Sequence, residues 1–152
     1  MAATGHRSYR FPRFTIIAVL SCTLRADQAQ DVRARFSQIA TALTAGNAAE
    51  AMIPFDKSYP DYARLSGYLT GLTGAFQVEN EVSVTNEEDT LTESKVSIDW
   101  SLTLTDLGSN ATIQRTAVIT AKLVRKDREW KIVRFAPIGI FNPQQGKASM
   151  RR

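Results

Sequence analysis

The most regular pattern in the chain is Val96-Ser97-Ile98-Asp99-Trp100-Ser101-Leu102-Thr103-Leu104-Thr105. Val96, Ile98, Trp100, Leu102 and Leu104 are apolar, and every residue between them is polar. Successive side chains of an extended chain point to opposite faces, so this stretch predicts a long strand with one dry and one polar face. Such a strand belongs in an antiparallel sheet covered on one side. Asp106-Leu107-Gly108-Ser109-Asn110 is turn chemistry, and the next strand runs from about Ala111 to Arg125. Lys126-Asp127-Arg128-Glu129 turns it into another, Trp130 to Ala136. Upstream, Val78, Val82 and Val84 alternate with Glu79, Glu81, Ser83 and Thr85, which adds a strand from residue 77.

Before residue 77 the period is helical. Val32, Phe36, Ile39 and Leu43 share one face of a helix from Asp31 to Ala45, ended by Gly46. Asn47-Ala48-Ala49-Glu50 predicts a capping box, with Glu50 reaching back to the Asn47 amide, and the helix it opens stops near Pro54. A third helix starts at Ser58-Tyr59-Pro60-Asp61, with Leu65, Leu69, Leu72 and Phe76 as its buried stripe and Gly71 and Gly74 weakening its last turn. Three N-terminal helices followed by a four-stranded (or larger) antiparallel sheet make an α+β layer fold, with the helices packed on the sheet.

Composition bounds the function. The chain has 152 residues, 43% apolar and 22% charged, which is one globular domain's worth. Residues 1–13 hold Arg7, Arg10 and Arg13 and no acid, and an uncharged run of eleven residues, Phe14 to Leu24, follows. A basic segment before a short apolar core is the pattern of an export signal, and about 20 apolar residues are needed to span a membrane. Residues 1–29 therefore read as a signal peptide or export segment, and the protein as extracytoplasmic, periplasmic or secreted. Val19-Leu20-Ser21-Cys22 is close to a lipoprotein cleavage box. Lipidation at Cys22 is the alternative, and the only route to a membrane in this reading. Without residues 1–29 the net charge falls from +4 to +1, so the basic balance gives little support to nucleic-acid binding. Residues 144–152 form a basic C-terminal tail, read as a frayed end.

The single histidine, His6, and the single cysteine, Cys22, both lie in the export segment. Imidazole acid–base chemistry, histidine metal sites and serine–histidine nucleophile pairs are thereby absent from residues 30–152. No phosphate-cradling glycine loop or dinucleotide fingerprint is present, and no cofactor or metal is expected. A turn symmetric about residues 108–109 pairs Ile98 with Ile119, Trp100 with Ala117 and Leu102 with Arg115. That register puts one charge, Arg115, on the dry face and turns Asp99 to the other, and a bulge would invert it. Arg115 must find a partner or lie near an opening; it either grips a carboxylate bidentately or snorkels to water. Arg134 shares that parity if the 126–129 turn is symmetric, opposite Ala121 and roughly 20 Å from Arg115 along the sheet. Trp100 is a stacking platform or plain core. Tyr62 and Tyr68 flank the third helix's apolar stripe, and either line a pocket or pack with wet hydroxyls. Asn110-Ala111-Thr112 matches a glycosylation sequon, which matters only in a eukaryotic secretory pathway.

Leu43-Thr44-Ala45-Gly46-Asn47-Ala48-Ala49, Ile98-Asp99-Trp100-Ser101-Leu102 and Glu129-Trp130-Lys131-Ile132-Val133-Arg134 carry a resemblance. With the order helix, short helix, helix and meandering sheet, residues 30–143 resemble the nuclear-transport-factor-2-like superfamily of cone-shaped, cystatin-like domains. That resemblance implies a pocket between helices and curved sheet, and often a homodimer through the sheet. The superfamily includes ketosteroid isomerases, dehydratases and polyketide cyclases, and its fold alone does not transfer function. The expectation is an exported domain that binds a small apolar ligand, with Tyr62, Tyr68, Trp100 and Arg115 as candidate pocket residues, or that serves as an accessory or interaction domain. The alternative is a cofactor-independent isomerase or cyclase using a carboxylate or tyrosine.

Overall fold

No glycine or proline interrupts residues 17–45, and the first helix uses that freedom. The computed structural model describes residues 17–145, with side chains from residue 25 onward. Helix α1 runs Ile17–Thr44, beginning well before Asp31 because nothing in the preceding stretch breaks a helix. The basic part of the export segment, the Cys22 side chain and residues 146–152 of the tail lie outside the described residues. Among the described residues no helix is long and apolar enough to cross a membrane. Val32, Phe36, Ile39 and Leu43 are all buried.

Gly46, at φ +73°, ends α1 in a Schellman turn: its N–H donates to the Leu43 carbonyl and that of Asn47 to Ala42. Helix α2, Ala48–Ala51, starts directly after it. The Asn47 side chain accepts from the Glu50 N–H at 3.0 Å. The return bond differs from the expected one. The Asn47 N–H is already held by Ala42, so the Glu50 carboxylate takes the Asn47 side-chain amide instead, at 3.1 Å. Helix α3, Tyr62–Ala75, buries Leu65, Leu69 and Leu72. Phe76 is buried as expected but is the first residue of the next strand, where the glycine-weakened helix ends.

Strands β1 (Phe76–Asp89), β2 (Glu93–Asp106), β3 (Thr112–Lys126) and β4 (Glu129–Ala136) form one antiparallel meander in the order β1-β2-β3-β4. The β2–β3 register is the one the 106–110 turn implies: Ile98 faces Ile119, Trp100 faces Ala117 and Leu102 faces Arg115. Two bulges sit on the outer strands. Thr85 is the extra residue on β1, and Val133 the extra residue on β4. The second overturns the expected place of Arg134. It pairs with Lys122, not Ala121, and lies exposed on the outer face, while Phe135 takes the inner position.

The core fills the space between the helices and the inner sheet face. Ile98, Trp100, Leu102, Leu104, Ile119, Leu123 and Ile132 meet the helical stripes there. The free edge of β4 is covered by residues 54–56: the Asp56 N–H donates to the Ile132 carbonyl and the Ile132 N–H to Pro54, both at 2.9 Å. After Ala136 a short 3-10 turn, Gly139–Phe141, folds back toward the core with Ile138, Ile140 and Phe141 buried.

Candidate functional site

Arg115 is the charge that the inner face has to accommodate. Its side chain projects from β3, and the residue is 9% exposed. One terminal nitrogen donates to the carbonyls of Ile140 (2.9 Å) and Asn142 (2.7 Å), and the other to that of Gln145 (2.7 Å). All three acceptors lie on the C-terminal strap, residues 137–145, so the guanidinium ties the strap across the mouth of the sheet. Among the described residues Arg115 forms no ion pair. Burial disfavours its charged form and lowers its pKa. Among the described residues, backbone carbonyls alone accept its hydrogen bonds.

Trp100 lies two residues along β2 from Leu102, the partner of Arg115, with 1% exposure. Its indole N–H donates to the Asn80 amide oxygen at 3.0 Å, and the Asn80 amide in turn donates to the Ala40 carbonyl of α1 at 3.0 Å. The indole meets Phe141 of the strap edge-on at 5.4 Å and Phe135 at 5.9 Å. Phe135 reaches Phe55 at 5.2 Å, and Phe55 stacks on Tyr59 at 5.8 Å. Pro143 closes the strap against α3, where a Cβ on Gly71 would sit 2.9 Å from its ring. Strap side chains thus occupy the space between helices and sheet.

The four candidate pocket residues are placed apart. Trp100 and Arg115 meet the strap. Tyr62 and Tyr68 are half-buried on α3 against the core, and Tyr62 lines a separate cavity of about 410 Å³ with Met52, Ile53, Asp56 and Lys131. Among the described residues the buried tyrosine is Tyr59, whose hydroxyl donates to the Phe135 carbonyl; burial pushes its pKa up to about 12. Asp56 beside it accepts from the Ser58 hydroxyl and N–H and from Lys126 at 2.9 Å, and these bonds hold its carboxyl well below the usual range.

A second polar group was hidden from parity counting. The Thr85 bulge turns Glu87 onto the inner face, opposite Val96, near the start of the β1–β2 hairpin. Its side chain is 9% exposed; one oxygen takes the Arg33 guanidinium at 3.2 Å and the other is buried without a partner. Burial and the neighbouring Asp89 carboxylate push its pKa up, against the pull of Arg33. Ser94, fully buried, donates its hydroxyl to Asp89. An unbroken alternation conceals Glu87; the run Asn86-Glu87-Glu88-Asp89, four polar residues in succession, is the only sign that the pattern breaks there.

The outer face carries two clefts. One, about 620 Å³, is lined by Glu81, Ser83, Asp99, Ser101, Thr116 and Val118, of which Val118 is 61% exposed. The other, about 330 Å³, lies toward the β1–β2 hairpin and includes Lys95, Lys122 and Arg134. Among the described residues no three His, Cys, Asp or Glu side chains gather as metal ligands would.

In comparison with family models and with curated proteins, nothing matches the chain. Solved structures do. A conserved protein from Planctomyces limnophilus superposes with a TM-score of 0.67 at 10% identity, over 74% of this chain and 95% of its own. A nuclear transport factor 2-like superfamily protein from Salmonella enterica superposes with a TM-score of 0.57 at 9% identity, over 70% and 88%. This chain has the nuclear-transport-factor-2-like fold. A scytalone-dehydratase-like protein from Novosphingobium aromaticivorans shares that fold, with a TM-score of 0.65 at 13% identity over 73% and 83%. At these identities the likeness is one of fold. Within the nuclear-transport-factor-2-like cone of this chain, Ile138, Ile140 and Phe141 of its own strap are buried against the inner sheet face.

Proposed function

We propose that the chain is an exported small-molecule-binding domain, residues 30–143, whose ligand is apolar with one anionic group and displaces the strap from the inner face. The observation that carries this is Arg115: a nearly buried guanidinium held, among the described residues, only by three carbonyls of a segment of nine residues. A carboxylate gives such a group two bonds to a charged acceptor in place of bonds to neutral carbonyls, which makes it the natural competitor for the site. Trp100 and Phe135 supply the apolar wall, which Phe141 of the strap covers. The scytalone-dehydratase-like neighbour supports a small-molecule role by analogy of fold. Export rests on the basic segment and apolar run. Cleavage after Ala26 or Ala29 would leave Val32, Phe36, Ile39 and Leu43 in place. The polar outer face around Asp99, Ser101 and the exposed Val118 is the surface on which a second copy would pack.

The test uses 1-anilinonaphthalene-8-sulfonate, an apolar anion, on the full chain. Phe141→Ala loosens the strap and keeps Arg115. It should bind the dye one to one, about tenfold more tightly than the wild type, and the added Arg115→Met should abolish the gain. Equal binding with and without Arg115, in variants that still unfold cooperatively, overturns the proposal.

Glu87 favours an enzymatic role as the alternative. A carboxyl group with a raised pKa inside the fold is what a cofactor-independent isomerase or cyclase needs as a base. Arg33, its partner, also lines a cavity of about 350 Å³ between α1 and β1. A Glu87 that titrates as an ordinary glutamate by carbon-detected NMR removes this alternative.

A further inference from the structure

We infer that the smaller outer cleft is a binding site for a compact phosphomonoester free in solution. It is separate from the inner face and independent of the function proposed there. Lys95, Lys122 and Arg134 stand directly opposite one another on β2, β3 and β4. Neighbouring strands lie about 4.8 Å apart, so the three Cα atoms span roughly 10 Å, and their long side chains can converge on one oxyanion. Like charges directly opposite across strands destabilise a sheet, so the row is a cost to the fold unless an anion joins it.

The carboxylates nearby relieve only part of that cost. Glu93 pairs with Lys122 at 3.1 Å. Glu88 stands opposite Lys95 in register, yet among the described residues neither Lys95 nor Arg134 forms an ion pair. The cluster, counted over these five residues, keeps a net charge of +1. The Ser97 hydroxyl, in the adjacent row, is a further donor lining the cleft.

Both bulges serve this cleft. Without the extra Val133, Arg134 would point inward; without the extra Thr85, Glu88 would. Bulges next to sites commonly re-aim side chains in this way. The volume, about 330 Å³, leaves room for a small organic group beyond the phosphate and falls at the low end of small-ligand pockets. A guanidinium and two ammonium groups match the three terminal oxygens of a phosphomonoester better than the two of a carboxylate.

The experiment is an NMR titration of the ¹⁵N-labelled full chain with glycerol 3-phosphate and with inorganic phosphate, at constant ionic strength set by chloride. Saturable shifts are expected at the amides of Lys95, Ser97, Lys122 and Arg134. Arg134→Met and Lys95→Met should each weaken binding at least fivefold, and Glu88→Gln should tighten it. These are exposed positions, so the variants keep the wild-type fold, and the two methionine variants have a Tm at or above that of the wild type in the absence of phosphate. Shifts that rise linearly without saturation, or that are unchanged in Arg134→Met, overturn the proposal. So does binding of polyglutamate in preference to the phosphoester, or co-sedimentation with phosphatidate vesicles without saturable binding of the soluble ester.

Discussion

The mouth of the sheet and the outer cleft each hold an arginine, and the two are satisfied differently. Arg115 is nearly buried and donates to three strap carbonyls. Arg134 is exposed beside two lysines and, among the described residues, has no ion pair. Burial makes the difference. A desolvated guanidinium must be fully bonded or it costs several kcal/mol, so Arg115 is committed to the strap until an anion replaces the three carbonyls. A solvated one has water as a partner and is left available to bind. The inner face is closed by the chain itself, and the outer cleft is open.

The contrast is tested most severely at the strap. Phe141→Ala removes a buried ring packed on Trp100 and Phe135, and should cost about 3–5 kcal/mol in chemical denaturation. A cost under about 1 kcal/mol would mean that the strap is not part of the core. Arg115→Met should cost about 2–4 kcal/mol, because it leaves three carbonyls without their donor. Arg134→Met, the matched change outside, should stay within about 0.5 kcal/mol. Equal costs for the two arginines would erase the distinction.

Between these extremes, the carboxylates repeat the contrast with opposite signs. Asp56 is bonded in its charged form, with a pKa below its ordinary value of 3.8. Its contribution is present above that value and is lost as pH falls through the lower folded value. Asp56→Asn should flatten the acid limb of stability against pH. Glu87 has a pKa above its ordinary value of 4.5, chiefly through burial. Its favourable contribution is present at acid pH and is lost as pH rises through the raised value. Glu87→Gln should therefore cost less at pH 7 than at pH 4. Equal costs at the two pH values would place Glu87 in solvent, and the reverse order would mean that the Arg33 pair outweighs burial.

Much of this was legible from residue order. The alternation from Val96 to Thr105 and the turn at 106–110 were enough to place Arg115 opposite Leu102 on the dry face. The 4-3-4 spacings from Val32 and Leu65 marked the helical faces. What alternation cannot show is a bulge. Each extra residue reverses parity downstream, and that hid Glu87 and sent Arg134 to the wrong face. The strap was invisible for another reason. Ile138-Gly139-Ile140-Phe141 has no period long enough to read, and its position depends on bonds to a residue some 25 positions away in sequence. Asn80, which links the Trp100 indole to α1, is a polar residue on the face of Val78 and Val82, and alternation gives no sign of its role.

The most direct test is hydrogen exchange across residues 137–145 of the full chain, with and without saturating 1-anilinonaphthalene-8-sulfonate. If an apolar anion takes the place of the strap on Arg115, those amides lose protection on binding while β2 and β3 keep theirs. Binding that leaves the strap as protected as before, or more so, would contradict the account.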